Sequence, residues 1–232
     1  MKRSSLTKVL ILATLLAVPG FLYYLLQEKG KNRYKTLAIY GDKKVASTFH
    51  TRRGRKIPDT LYHTIRDFKL VNQLGDTVRF PSDSSKVTIV NFFYTSCPSF
   101  CAKMNTEMKR LHERFDRNRL LHFVSITVDP ERDNPEVLGR YARSFDAKGG
   151  EWDMLTGDTD LIYDLARKDF LVDALHDTTK TDGFIHSPML ILVDSHKRIR
   201  GFYDTGRKES IDRLTDEIKV LITEELRAVK NR

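Results

Sequence analysis

Three runs of consecutive apolar and β-branched residues predict strands in the middle of the chain. They read VTIVNFFY, LHFVSITV and MLILVD, over residues 87–94, 121–128 and 189–194. Runs of this kind are typical of strands that are buried on both faces of a sheet. Amphipathic stretches alternate with them and predict helices over residues 102–115, 135–145, 159–170 and 208–228.

A pair of shorter strands is predicted before the first buried run. Residues 65–80 read IRDFKLVNQLGDTVRF, with a turn at Gly75 and Asp76 between two apolar stretches. With a further strand at 152–155 and a hairpin partner at 199–203, the order of elements predicts an α/β fold. We expect a mixed central sheet flanked by helices and preceded by this N-terminal β-hairpin.

The apolar stretch near the beginning of the chain has a different character. Residues 9–26 contain no charged side chain. As a helix they would span about 27 Å, close to the hydrocarbon core of a bilayer at about 30 Å. The stretch therefore predicts a single N-terminal transmembrane helix. A cleaved signal peptide is the alternative, but no small-x-small cleavage site stands clearly after the run.

The net charge of +9 is concentrated at the N-terminal end of the chain. Residues 1–35 contribute +6 and residues 36–56 contribute +5, which leaves −2 for residues 57–232. A slightly acidic body argues against a nucleic-acid partner. We predict a basic segment over 1–8, the membrane anchor over 9–26, a basic tether over 27–56 and a folded domain over 57–232.

The two cysteines, Cys97 and Cys101, come directly after the first buried run. They open the predicted helix at the carboxyl end of a strand, where open α/β sheets place their ligand sites. A helix N-terminus favours the thiolate, and a spacing of four lets both sulfurs reach one spot. Two thiolates there either bind a soft metal such as Cu(I) or cycle between dithiol and disulfide.

A metal site needs a third ligand, and the chain has seven histidines. His186 is the best candidate because it comes just before the buried run 189–194, which we expect near the cysteine turn. Two thiolates and one imidazole suit copper. The other histidines are predicted to lie in the tether, before a hairpin, in a loop or turn, on a helix or inside a strand, where structural roles suffice.

Several stretches resemble the SCO/SenC family of membrane-anchored copper-assembly proteins. They include VNFFYTSCPSFC, SITVDPERDNPEVLGRYARSF, LARKDF and the His-Ser pair before MLILVD. The resemblance implies a thioredoxin-like fold, with Cys97, Cys101 and His186 as ligands of Cu(I) or Cu(II). Members of that family deliver copper to the dinuclear copper site of cytochrome c oxidase, or keep the cysteines of that site reduced.

The sequence departs from the family pattern around the site. The family turn usually reads C-P-D-x-C-P, but Ser99 and Ala102 stand at two of its positions, and Ile185 replaces an Asp. Pro188 stands where the family rarely has proline. Thioredoxin-like proteins generally place a cis-proline before this strand, facing the cysteines, so Pro188 favours thiol–disulfide exchange.

Two functions are therefore expected, with a metal-free interaction module as a third. The first is a copper metallochaperone, and the second is a membrane-anchored thiol–disulfide oxidoreductase that uses Cys97 and Cys101. The partner would be a copper-accepting oxidase subunit or another exported thiol protein. Both functions place the domain on the exported side, such as the periplasmic side of an inner membrane. A positive-inside count argues the other way, because more Lys and Arg residues follow the apolar run than precede it.

Overall fold

The computed structural model describes residues 3–29, 36–52, 54–81, 86–116, 118–172, 174–176, 184–186 and 188–230. The chain divides into two compact units, Met1–Lys35 and Thr36–Arg232. In the first unit, helix α1 runs from Arg3 to Lys29. A search of the described residues finds no helix with the length and apolar character needed to cross a membrane, so the predicted transmembrane helix is not confirmed.

The second unit contains strands β1 to β11 and helices α2 to α5. The strands are β1 (Lys43–Arg52), β2 (Arg55–Tyr62), β3 (Phe68–Asn72), β4 (Thr77–Phe80), β5 (Val87–Phe93), β6 (Leu121–Thr127), β7 (Trp152–Thr156), β8 (Ala174–His176), β9 (Phe184–His186), β10 (Met189–Val193) and β11 (Ile199–Asp204). The helices are α2 (Cys101–Arg114), α3 (Pro135–Ser144), α4 (Thr159–Asp164) and α5 (Lys208–Lys230).

The central sheet has the mixed topology that the sequence predicts. Among the described residues it has seven strands, in the order β11-β10-β5-β6-β7-β3-β4. Strands β5, β6 and β7 are parallel, and the strands beside them run antiparallel. Every side chain of β5 and β6 is buried, as expected from their continuous apolar runs.

The predicted hairpin at 65–80 is confirmed as β3 and β4. The two strands pair antiparallel, with Leu70 opposite Val78. The side chain of Asn72 accepts hydrogen bonds from the backbone N–H groups of Leu74 (3.0 Å) and Asp76 (2.9 Å). An Asn side chain that bonds the backbone ahead of it in this way stabilises a tight turn.

The predicted helix over 159–170 changes its geometry part-way. Asp158 caps α4 by accepting a hydrogen bond from the N–H of Leu161 at 2.8 Å. The next turn, Leu165–Asp169, is a π-helix. Phe170 follows it and is buried against Phe92, with the ring centroids 5.4 Å apart.

The structure differs from the predicted tether in residues 36–56. Strands β1 and β2 form an antiparallel hairpin, so the boundary predicted at residue 57 falls inside this hairpin. The β-strands were missed because their side chains are almost all exposed and lack the alternation that marks a half-buried strand.

The segment before this hairpin is also fixed to the folded domain. The N–H of Tyr40 donates to the carbonyl of Ile199 in β11 at 2.9 Å. The buried guanidinium of Arg200 donates to the carbonyls of Leu37 (2.9 Å) and Ala38 (3.1 Å). Arg200 lies 163 and 162 residues from these partners in the chain, so no local pattern reveals them.

Candidate functional site

Cys97 and Cys101 lie in the connection from β5 to α2, at the carboxyl edge of the central sheet. The helix begins at Cys101, so only this cysteine opens it, and Cys97 lies in the preceding turn. The N–H of Cys97 donates to the carbonyl of Tyr94 at 3.3 Å, which closes that turn. Cys97 and Cys101 are not joined by a disulfide bond.

The two sulfurs meet, as their spacing predicts. The thiols of Cys97 and Cys101 hydrogen-bond to each other. Cys97 is half-buried and its sulfur lies 3.5 Å from the hydroxyl of Ser99, whereas Cys101 is fully buried. One thiol is therefore accessible from solvent, and the other lies behind it.

The pKa values of the two thiols shift in opposite directions. Burial raises the pKa of Cys97, but hydrogen bonds from Cys101 and Ser99 outweigh it and leave that pKa below its ordinary value. Burial raises the pKa of Cys101 strongly, and the hydrogen bond to Cys97 and the charge of Asp133 raise it further. The thiolate predicted for both cysteines is thus favoured only at Cys97, because burial outweighs the helix terminus at Cys101.

A buried carboxylate supports the cysteine turn from the neighbouring loop. Asp133 is fully buried and accepts hydrogen bonds from the backbone N–H of Thr95 (3.0 Å) and from the hydroxyl of the same residue. It also accepts one from the hydroxyl of Thr127, at the end of β6. The sequence alone does not reveal this role of Asp133, because it depends on β5 and β6 lying side by side.

A chain of buried polar side chains runs from β5 through α2 to α3. The side-chain amide of Asn91 donates to Asn105 at 2.8 Å, and Asn105 donates to the hydroxyl of Tyr141 at 3.1 Å. The ring of Tyr141 stacks on Phe93, the last residue of β5. Burial is the main cause that raises the pKa of Tyr141 to about 12, and the hydrogen bond with Asn105 offsets it only in part. The phenol therefore stays protonated at neutral pH.

The third predicted ligand, His186, ends the short strand β9, which pairs with β8. The structure describes the backbone of His186, but its side chain lies outside the described part of the chain. Strand β10 runs antiparallel to β5, with Ile191 opposite Val90. The chain that enters β10 at Met189 therefore starts at the edge of the sheet where β5 ends and the cysteine turn begins. The peptide bond before Pro188 also lies outside the described residues.

Several other histidines have structural partners away from the cysteines. The ring of His122 donates to the buried carboxylate of Asp153 at 2.8 Å, His63 bonds the carbonyl of Asp169 at 2.7 Å, and His50 pairs with Asp59. Within the described residues, no group of three or more His, Cys, Asp and Glu residues is arranged to hold a metal ion.

Comparison with known proteins agrees with this geometry. The family model described as SCO1/SenC matches residues 58–223. The chain belongs to the SCO1/SenC family. A SCO2-like protein of Rickettsia typhi is 29% identical over 225 residues, which cover 93% of this chain and 100% of the relative.

Solved structures of Sco proteins share the fold. ScoI of Bradyrhizobium japonicum with copper bound is 27% identical, with a TM-score of 0.55 over 65% of this chain and 97% of that one. BsSco, a member of the Sco family of cytochrome c oxidase assembly proteins with an identified disulfide switch, is 26% identical. Its TM-score is 0.61, over 69% of this chain and 94% of that one. The mixed α/β, thioredoxin-like Sco fold is thereby confirmed.

Proposed function

We propose that this chain binds copper through Cys97, Cys101 and His186 and serves the assembly of cytochrome c oxidase. The observation that carries the proposal is the pair of hydrogen-bonded thiols at the carboxyl edge of the sheet. Thiolates and imidazole together suit copper, and a related ScoI has been solved with copper bound. The course of the backbone before β10 supports His186 as the third ligand.

Copper is the cargo in this function rather than a resident catalyst. The half-buried Cys97 is the ligand that an acceptor protein can reach first, and the buried Cys101 keeps hold of the ion from behind. The protein would pass copper to the dinuclear copper site of the oxidase by ligand exchange. The same two thiols are equipped to maintain the cysteines of that site in their reduced form.

Copper titration of the reduced full-length protein tests this function. In competition with a chromophoric Cu(I) chelator, we expect one copper per chain, with loss of tight binding in Cys97→Ala, Cys101→Ala and His186→Ala. His196→Ala is the matched control, because His196 is exposed in the turn between β10 and β11. Unchanged affinity in His186→Ala would exclude the proposed ligand set.

The opposite pKa shifts of the two thiols favour thiol–disulfide exchange as a second candidate function. The Cys97 thiolate would attack a sulfur of a partner disulfide and release one partner thiolate. Cys101 would then attack the sulfur of Cys97, release the second partner thiolate and leave this chain oxidised. Replacing Cys101 with Ser should trap the mixed disulfide, whereas His186→Ala should leave the rate of exchange unchanged. Absence of a trapped disulfide in Cys101→Ser, together with loss of exchange in His186→Ala, would exclude this function.

We also propose that residues 9–26 anchor the protein in a membrane, with the domain on the exported side. Large apolar side chains of α1 are exposed all along the described part of this run, including Leu12, Leu15, Leu16 and Phe21. Uncovered apolar surface of this extent marks contact with a membrane or a partner. We expect a reporter that is active only on the exported side of the membrane to be active when it is fused at the C-terminus. Activity of a cytoplasmic reporter at that position would contradict copper delivery to the oxidase.

A further inference from the structure

The hairpin of β1 and β2 forms a small sheet of its own. In the part of the chain that the structure describes, these two strands pair with each other and with no strand of the central sheet. Their side chains are exposed along almost their whole length, with Ala46 buried and Asp59 half-buried. A two-stranded hairpin is marginally stable in water unless something covers it.

Both faces of this hairpin carry uncovered apolar side chains. The register places Val45 and Phe49 on one face, where they are 77% and 61% exposed. Leu61 and Ile57 lie on the other face and are 59% and 37% exposed. Because cross-strand partners share a face and neighbours alternate, one flat partner surface would cover only one of these pairs.

The hairpin is also strongly basic. Residues 43–62 contain six Lys and Arg residues against one Asp. Four of the six lie within residues 52–56 of the sequence: Arg52, Arg53, Arg55 and Lys56. The single carboxylate of this stretch, Asp59, accepts hydrogen bonds from Thr48 and His50, which lower its pKa. The rest of the folded domain is slightly acidic, so this charge is local to the hairpin.

These features distinguish between the occupants that could cover the hairpin. A second copy would bring a second set of like charges against the first. An acidic protein would match the charge but would leave one apolar face in water. The interface of an anionic bilayer surrounds an inserted element, taking apolar side chains between the lipids while Lys and Arg reach the phosphates.

We propose that the β1–β2 hairpin inserts into the surface of an anionic lipid bilayer. The inference rests on the proposed function in one respect, because the anchor at 9–26 would supply the membrane. Only residues 30–35 separate α1 from the folded unit along the chain, so an anchored α1 would keep this unit tethered to the same membrane. The SCO1/SenC match begins at residue 58, so β1 lies outside the part that defines the family.

Tryptophan fluorescence of the reconstituted full-length protein tests the insertion. Phe49→Trp places an indole on the hairpin, and wild-type protein supplies the background of Trp152, which is fully buried. In vesicles containing brominated phosphatidylglycerol we expect blue-shifted emission and at least two-fold quenching at position 49. Leu74→Trp is the matched control, since Leu74 is 68% exposed in a different hairpin, and its emission should not change.

Charge variants separate lipid insertion from contact with an acidic protein. Replacing all four basic residues within 52–56 with Gln in the Phe49→Trp protein should abolish the quenching, as should vesicles of phosphatidylcholine alone. Unshifted emission from the indole at position 49 in anionic vesicles overturns the proposal. A blue shift of this emission with soluble poly-glutamate but not with vesicles also overturns it, and points to an acidic protein instead. The copper stoichiometry of the charge variant should equal that of the wild type. Loss of membrane insertion can therefore be told apart from loss of copper binding.

Discussion

Asp133 binds both the backbone N–H and the hydroxyl of Thr95, which lies two residues before the first cysteine of the site. A fully buried carboxylate on the loop after β6 thus fixes the turn that follows β5. Its charge also acts on Cys101, whose pKa it helps to raise. The shape and the protonation of the thiol site therefore depend on one residue outside it.

Replacing Asp133 with Asn should loosen this turn. The amide offers one acceptor oxygen where the carboxylate serves three donors, so we expect about 1–3 kcal/mol lower free energy of unfolding. Removing the negative charge should also lower the pKa of Cys101. Urea unfolding measures the first effect, and the pH dependence of Cys101 alkylation measures the second. Glu131→Gln, an exposed change in the same loop, should alter neither.

The two thiols should react with iodoacetamide in a fixed order. At neutral pH, Cys97 should be alkylated well before Cys101, because its pKa is lowered and its sulfur is accessible. Peptide mapping by mass spectrometry after short exposures gives the two rates. In guanidinium chloride the rates should converge. Equal rates in the folded protein would contradict the asymmetry of the site.

The buried pair of His122 and Asp153 should make stability depend on pH in the acid range. Burial raises the pKa of Asp153, but hydrogen bonds from His122 and from the N–H of Gly150 outweigh it and hold that pKa below 3.8. The ionised carboxylate then contributes stability above pH 3.8, which is lost as the pH falls through the lower folded-state value.

We therefore expect Asp153→Asn to cost about 1–3 kcal/mol of unfolding free energy at neutral pH. The difference from wild type should shrink as the pH drops below 3.8. Urea titrations followed by the emission of Trp152 measure both. Asp76→Asn, an exposed change near the same pair, should have the unfolding free energy of the wild type at every pH. A loss of unfolding free energy in Asp153→Asn that does not change with pH would refute the linkage.

Replacing Arg200 should destabilise the domain and loosen the attachment of residues 37–40 to it. Its buried guanidinium bonds the carbonyls of Leu37 and Ala38 and pairs with Asp194 and Glu224. Replacing it with Met should cost about 3–5 kcal/mol, because buried charges lose their partner. Hydrogen exchange should accelerate at the amide of Tyr40, which bonds the adjacent Ile199.

A surface arginine provides the comparison for this change. Arg140 lies on α3 with a side chain that is 56% exposed and pairs with Glu136 across one helical turn. Exposed pairs of this kind contribute about 0.3–0.5 kcal/mol. Arg140→Met should therefore leave exchange at Tyr40 unchanged, and equal effects of the two substitutions would show that Arg200 does not clamp this segment.

The central sheet could be predicted closely from sequence because its signals are local. A strand buried on both faces requires consecutive apolar residues, and the runs at 87–94, 121–128 and 189–194 lie within one residue of β5, β6 and β10. The meeting of Cys97 and Cys101 was also predictable, since their spacing and the start of a helix fix it locally.

Features that depend on distant partners were missed. Asp133 becomes a support for the cysteine turn only once two parallel strands bring its loop beside Thr95. The hairpin of β1 and β2 lacks a buried face, so its sequence resembles a solvated tether. Burial decided the protonation of Cys101, and burial is a property of the packed core rather than of the helix terminus that the sequence shows.

The bonds of Arg200 to Leu37 and Ala38 have a mechanical consequence. Any tension on the chain ahead of Thr36 is taken up at β11 and, through Glu224, at α5. Strand β10 lies between β11 and β5, so this load enters the sheet at its edge and not at the strand that carries the thiols. We therefore expect a pull on the leading end of the domain to act on β11 and α5 before it reaches the strand that precedes the thiols.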